Sequence, residues 1–459
     1  MDPILNLIKF ALDVKYEDLP VTVVNMVKNS VIDTLAVAVA GSGYPGIRML
    51  VDLSKDWGGK KESSILVHGG KVPAPIAALV NCSMARACDF DSVHENGGWH
   101  LSATSVPTAF AFVEYSETAV SGKDFILINA ICSEINCRLR QASAPPRGWL
   151  VETIAPLGVA AMGGRLLGFD EKQMLNALGV AYAQCCGNGQ AMLDGAMTHS
   201  LQQGLGAKAG IFSVLLAKKG FKGAKNILQG NYGLFPLYMN GQYNDKVLLG
   251  NLGKHFEFVN TSIKPYPCCR MTHIPIYSTI EMLRVHDIKP EDIEEIRVGT
   301  NSFAYNLCAN GDEKYNIKTP QDAQFSLPYT VSLAALGKDI FFEAFTDKAI
   351  KDPDVLSFGK KVKVFLDPEK DKVNPFVCPA DMEIITKAGK HYSSQVEFIK
   401  GHPRMPFTFE ECADKYRNCC RYSAEPIPEE NMEKVIELAG DLDNLDNVVD
   451  IFEALCMNS

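Results

Sequence analysis

The sequence predicts a mainly α-helical domain that the chain leaves midway, to build a smaller α+β domain, and then rejoins. Three observations carry this. Long Ala- and Leu-rich segments with helical spacing fill the first half. Alternating segments with β-branched residues appear only after about residue 260. Helical patterning returns after Gly401-His402-Pro403. A chain of 459 residues also exceeds what one core ordinarily holds. The expected division is 1–262 with 400–459 for the helical domain and 263–399 for the α+β domain.

The elements follow in order. Val24, Val27, Val31, Leu35 and Ala38 keep the helical period. Further helices are expected over Pro73–Ala87, Ser105–Glu117, Lys123–Cys137, Ala155–Leu167, Glu171–Ala183 and Leu201–Lys218. Their low charge suits a bundle in which several helices are buried on most sides. Ile293–Thr300 and Lys361–Leu366 read as strands. Met382–Phe398 reads as a hairpin around Ala388-Gly389-Lys390. Helices are expected at Ile276–His286 and Pro328–Leu336. Thr408 and Glu411 form a T-x-x-E capping box that opens the closing helices. Gly41-Ser42-Gly43-Tyr44-Pro45-Gly46 matches a dinucleotide-loop pattern. A helical segment precedes it where a strand is required, so it reads as a helix-ending turn.

Composition excludes some classes. Apolar residues make up 47% and charged residues 22%, ordinary for a globular protein. A net charge of −9 argues against a broad nucleic-acid surface. Val21–Ala40 is interrupted by Lys28, Asn29 and Asp33, and no basic leader opens the chain, so neither a membrane span nor a secretory signal is expected. The fourteen cysteines lack any C-x-x-C spacing, which points to reduced thiols in a cytoplasm.

Three stretches hold the chemistry. Asp89-Phe90-Asp91-Ser92-Val93-His94-Glu95-Asn96-Gly97-Gly98-Trp99-His100 gathers carboxylates and histidines on a Gly-rich loop between apolar helices. Metal ligands, acid–base groups and a solvated loop are the three readings; without H-E-x-x-H or a second histidine pair, acid–base groups are favoured. Ser262 to His273 holds Lys264, Cys269, Arg270 and His273 on a stretch stiffened by Pro265 and Pro267. Such cations suit carboxylate recognition. Asp194 to Gly204 turns into a helix near whose start His199 lies, where a helix N-terminus favours anions and neutral imidazole. Tyr329, after Pro328, is by itself as well explained as a core aromatic.

Together, in this order and spacing, these stretches resemble the MmgE/PrpD family, whose members include dehydratases, decarboxylases and epimerases of small carboxylic acids. The matching landmarks are ARACDFDSVHENGGWHLSA (85–103), APLGVAAMGGRLLGFD (155–170), DGAMTHSLQQGLGAKAGIFSVLLAKKGFKG (194–223), IKPYPCCRMTH (263–273), QFSLPY (324–329) and GHPRMPFTFEE (401–411). The resemblance implies a helical domain built from both chain ends and an inserted α+β lid. It also implies a homodimer, and a cofactor-free, metal-free site for a small polycarboxylate between the domains. Asp89, His100, Lys264 and Tyr329 match family site positions. With His199, taken from its place near a helix start, Asp89, His100, Lys264 and Tyr329 form the expected catalytic set, with Asp89 orienting one histidine. Arg270, Cys269, Trp149 and Val93 are expected to line the substrate. The chain departs from the family at several positions. Val93 replaces a threonine, His199 a lysine and Cys269 a histidine; Arg147-Gly148-Trp149-Leu150-Val151 replaces R-G-F-H-P. These changes imply a different acid from those of the named members, handled by a lyase or, second, by an epimerase; a non-catalytic carboxylate binder is the third reading.

Overall fold

A computed structural model describes residues 2–143, 148–372 and 380–456; Arg147 lies outside them. The structure is mostly helical with one small sheet region. The chain forms two compact units, Met1–Ile263 with Phe407–Ser459, and Lys264–Pro406. The second crossing falls at Pro406, not at 399, because the Gly401-His402-Pro403 turn packs on its own side: the His402 ring lies 4.4 Å from that of Phe398, and the Arg404 guanidinium stands 4.6 Å over the same ring.

The first unit is a helical bundle. Helix Val21–Gly41 lies at its centre, buried on nearly every side. It is long and apolar enough to cross a membrane, yet 78% of its most apolar window is covered by its own unit. Helix Ala74–Arg86 packs on it and on helix Thr198–Lys218. Both crossings depend on missing side chains. A Cβ on Gly41 would stand 2.1 Å from the Met84 carbonyl oxygen, and one on Gly204 would stand 2.1 Å from that of Leu79. The Ala-rich composition thus records how closely these backbones approach. Gly41 to Gly46 is the turn between Val21–Gly41 and Pro45–Trp57, with no strand before it.

Helix Phe409–Cys420 returns to the bundle behind the expected capping box. The Thr408 hydroxyl accepts from the Glu411 amide, and the Glu411 carboxylate accepts from the Thr408 amide. It packs on Val21–Gly41.

The second unit has a four-stranded sheet in the order Val362–Leu366, Ile293–Thr300, Ala380–Thr386, His391–Val396. The first pair is parallel and the others antiparallel. Strand Ala380–Thr386 alternates buried and half-buried residues, which places Met382 and Ile384 on the covered face. Helices His273–His286 and Leu327–Ala335 cover that face through Ile274, Met282, Val331 and Ala335.

Candidate active site

Helix Ala74–Arg86 ends in a buried arginine. Desolvating a guanidinium is costly unless anions surround it. The chain supplies them by reversing at Asp89, which adopts φ +51°, a left-handed conformation rare for a residue with a side chain. Arg86 Nη1 then donates to Asp89 Oδ1 at 2.7 Å and to Asp91 Oδ1 at 3.1 Å. Burial opposes its charge, but the carboxylates of Asp91, Asp89 and Glu152 outweigh that and hold its pKa above the ordinary value.

Asp91 carries the network onward. Its other oxygen, Oδ2, accepts from His100 Nδ1 at 2.9 Å. The aspartate that orients this histidine is therefore Asp91, and Asp89 is tied to the network through Arg86. His100 sits just before helix Leu101–Ser116 and keeps 13% of its side chain exposed. With Nδ1 donated to Asp91, Nε2 is the nitrogen left to exchange a proton. On the other side, Arg86 Nη2 donates to His199 Nε2 at 2.7 Å. An arginine cannot accept, so His199 is neutral with its proton on Nδ1. Burial and the neighbouring Arg86 charge lower its pKa to about 3.

The rest of the opening loop is scaffold. His94 and Val93 form a short strand against Thr261–Ser262. The His94 amide donates to the Trp99 carbonyl at 2.7 Å, closing the turn over fully buried Trp99. His94 Nε2 donates to the Glu257 carbonyl at 3.0 Å, and burial lowers its pKa to about 4. The Glu95 amide donates to the Asn260 carbonyl at 2.9 Å, and its carboxylate accepts from Ser262 Oγ. Phe90, between the two aspartates, is gripped from helix Phe409–Cys420. Buried Lys415 donates to its carbonyl at 2.9 Å, stands 3.6 Å over its ring and pairs with Asp33 at 2.6 Å.

The structure therefore brings Asp89, His100 and His199 together through two residues that sequence reasoning did not select, Arg86 and Asp91. Val93 is a buried strand residue. Trp149 is half-buried, its ring 6.5 Å from that of Tyr238. Two more polar residues join this part of the unit. Glu152 acts electrostatically on Arg86 and Arg140. Gln203, fully buried, donates to the His100 carbonyl at 2.9 Å. Among the described residues, no group of three or more His, Cys, Asp or Glu side chains is arranged to hold a metal ion.

The second unit carries the other expected residues. Lys264, Cys269 and Arg270 are buried on the proline-stiffened stretch. That stretch is fixed from Gln324, whose carbonyl accepts from the Cys269 amide at 3.0 Å and whose side chain donates to the Pro267 carbonyl at 2.9 Å. His273 Nε2 donates to the Cys268 carbonyl at 3.1 Å, which makes it part of the loop's framework. Tyr329 is a core residue: it packs near Phe345, and its hydroxyl donates to the Ala344 carbonyl at 2.7 Å. Burial raises its pKa well above the ordinary tyrosine value, so the hydroxyl stays protonated.

Comparison with known proteins matches nearly the whole chain. The MmgE/PrpD N-terminal domain matches residues 6–246, and the MmgE/PrpD C-terminal domain matches residues 266–441. Cis-aconitate decarboxylase of Aspergillus terreus is 25% identical over 464 residues, which cover 96% of this chain and 93% of that protein. Cis-aconitate decarboxylase of Mus musculus is 24% identical over 440 residues, covering 92% and 86%. The Homo sapiens protein of that name is 23% identical over 441 residues, covering 93% and 88%.

Proposed function

The chain belongs to the MmgE/PrpD family, and from that premise we propose that it is a cofactor-independent lyase. Its substrate is a small di- or tricarboxylate, cleaved next to a carboxylate in a decarboxylase- or dehydratase-like reaction. The observation that carries this reading is the Asp91–His100 pair on a buried arginine. Loss of carbon dioxide beside a carboxylate leaves an electron pair on carbon, and that carbon must receive a proton. His100 Nε2 supplies it, with Asp91 fixing the tautomer and stabilising the imidazolium before transfer. In a dehydration the same nitrogen takes the proton from the carbon next to the carboxylate and returns it to the departing hydroxyl, so that water leaves and the double bond forms. Arg86 offsets the two aspartates. Arg86 is engaged by Asp89, Asp91 and His199, and the holding of substrate carboxylates is assigned to Lys264 and Arg270 because they are cations on the proline-stiffened stretch.

An epimerase requires two opposed acid–base groups. His199 is a poor second one: Arg86 occupies its Nε2 and its pKa of about 3 keeps it neutral. This favours the lyase. The test incubates the protein in deuterated water with citrate, methylcitrate, cis-aconitate and iminodisuccinate. Release of carbon dioxide or water, abolished by His100→Gln, is the expected result. Deuterium uptake without product would make the enzyme an epimerase, and no reaction across a broad acid panel would make it a carboxylate-binding protein.

We further propose a cytoplasmic homodimer. Fourteen cysteines without any C-x-x-C spacing support a reducing compartment. Met49, Leu53 and Trp57, exposed at i, i+4 and i+8 of helix Pro45–Trp57, support a self-associating face. Light scattering on the wild type and on Leu53→Glu tests it; a wild-type monomer would refute it.

A further inference from the structure

His199, Gln203 and Gly206 stand at i, i+4 and i+7 of helix Thr198–Lys218 and so share one face. That face meets three parts of the unit. His199 receives Arg86. Gly206 lies under the Val151–Ile154 turn, where an added Cβ would stand 3.3 Å from the Glu152 carbonyl oxygen. Gln203 reaches the residue proposed to move the proton. Its Nε2 donates to the His100 carbonyl at 2.9 Å and to Thr104 Oγ1, one turn further along helix Leu101–Ser116.

The geometry points to Gln203 as the positioning residue for His100. Asp91 fixes the ring of that histidine from one side, and Gln203 fixes its backbone from the other. The amide is held there for its N–H groups. Gln203 is fully buried, and its Oε1 has no hydrogen-bond partner among the described residues. A buried carbonyl oxygen left unsatisfied is unfavourable, so the two donations must outweigh it. A residue present only to fill space would be served better by leucine or methionine. His100 is the cap of the helix, with φ −94° and ψ 69° outside the helical region, so helical geometry alone does not fix its dihedrals. Gln203 supplies that restraint, and from the same helix that places His199 against Arg86.

The activity readout rests on the lyase reading; the spectroscopic one does not. Gln203→Leu removes both donors at similar volume. Gln203→Glu keeps the shape and offers a carboxylate where a donor is needed. Thr104→Val removes one acceptor and leaves the His100 contact. Expected are a fall in kcat of about tenfold to a hundredfold for both Gln203 variants, the range set by sub-ångström to ångström misplacement of a reacting group. KM should stay within about twofold, and Thr104→Val, which removes one of the two contacts that hold Gln203, should fall between wild type and the Gln203 variants. Nitrogen-15 spectra of the histidine rings, with His100 assigned by its absence in His100→Gln, provide the second measurement. Wild type should show one His100 tautomer with the proton on Nδ1, and the Gln203 variants a mixture. If Gln203→Leu fails to fold, Gln203→Glu decides. Unchanged kcat in the folded Gln203 variants, or an unchanged His100 tautomer, overturns the inference. Should wild type turn over none of the acids, the lyase reading fails by itself, and the tautomer spectra still decide the role of Gln203.

Discussion

Lowering the pH should unfold the first unit ahead of ordinary acid denaturation, and His94 supplies a calculable share. Its pKa falls from 6.5 to about 4 because the ring is buried, with Nε2 on the Glu257 carbonyl. The unfolded chain takes up this proton below pH 6.5, whereas the folded chain resists until about pH 4. Stability from the neutral ring is therefore fully present above pH 6.5 and is lost as the pH falls toward 4. At about 1.4 kcal/mol per tenfold step, the full loss is about 3 kcal/mol, of which about 2 kcal/mol falls between pH 7 and pH 5. For a unit of roughly 300 residues that lowers Tm by about 3 °C. His199, with a pKa of about 3, acts in the same direction. The assay is thermal melting of wild type and His94→Gln from pH 7 to pH 5. The glutamine keeps a donor for Glu257 but takes no proton. The gap between the two melting curves should narrow by about 3 °C over that range. Curves that stay parallel would refute the argument, because the buried ring would then contribute nothing to the pH dependence.

Other outcomes follow from the same network. Asp91→Asn should cut kcat by about a hundredfold or more, because the amide can stabilise the wrong histidine tautomer, and should lower Tm as well, because buried Arg86 loses one of its two paired carboxylates; steady-state kinetics and melting check it. Arg86→Met should cost about 3–5 kcal/mol, since it leaves Asp89 and Asp91 buried without their cation. Denaturant titration would show this, and a midpoint near wild type would contradict the pairing. Gly204→Val should destabilise by more than about 3 kcal/mol or prevent folding, because its first carbon already meets the Leu79 carbonyl.

Much of the fold was legible because burial leaves a pattern in the chain. Ile293–Thr300 was read at the observed bounds from its alternation. The long helices differ from expectation by a turn or less at most ends. Leu101–Ser116 begins four residues before the expected Ser105 because the Trp99–His100 turn delivers the chain directly into it. Short helices such as Pro320–Gln324 went unread, since one turn of helix carries too little periodicity.

The site was legible at Asp89 and His100 only through the family's landmarks. Nothing in the sequence marks Arg86 beyond a cation near the end of an Ala-rich segment, and Asp91 is one of three carboxylates on its loop. Their partnership depends on the left-handed turn at Asp89, which no spacing rule announces. One signal was available. An arginine on an Ala-rich helix without other charge must be paired if that helix is buried, and the aspartates three and five residues on are its nearest anions. His94 and Glu95 serve as the anchors that hold the loop to Glu257–Ser262. Gln203 left no trace in the pattern, because an amide among apolar residues announces itself only through what it touches.

Lys415 gives the site a history as well as a shape. The segment Asp89-Phe90-Asp91 is synthesised early, yet the ammonium that grips its middle residue lies beyond the whole second unit. During synthesis Phe90 therefore emerges well before Lys415, with all of Lys264–Pro406 in between. Lys415 also pairs with buried Asp33 from the same helix, Phe409–Cys420. A chain interrupted before residue 415 would therefore retain the early landmark residues and lack the clamp on Phe90.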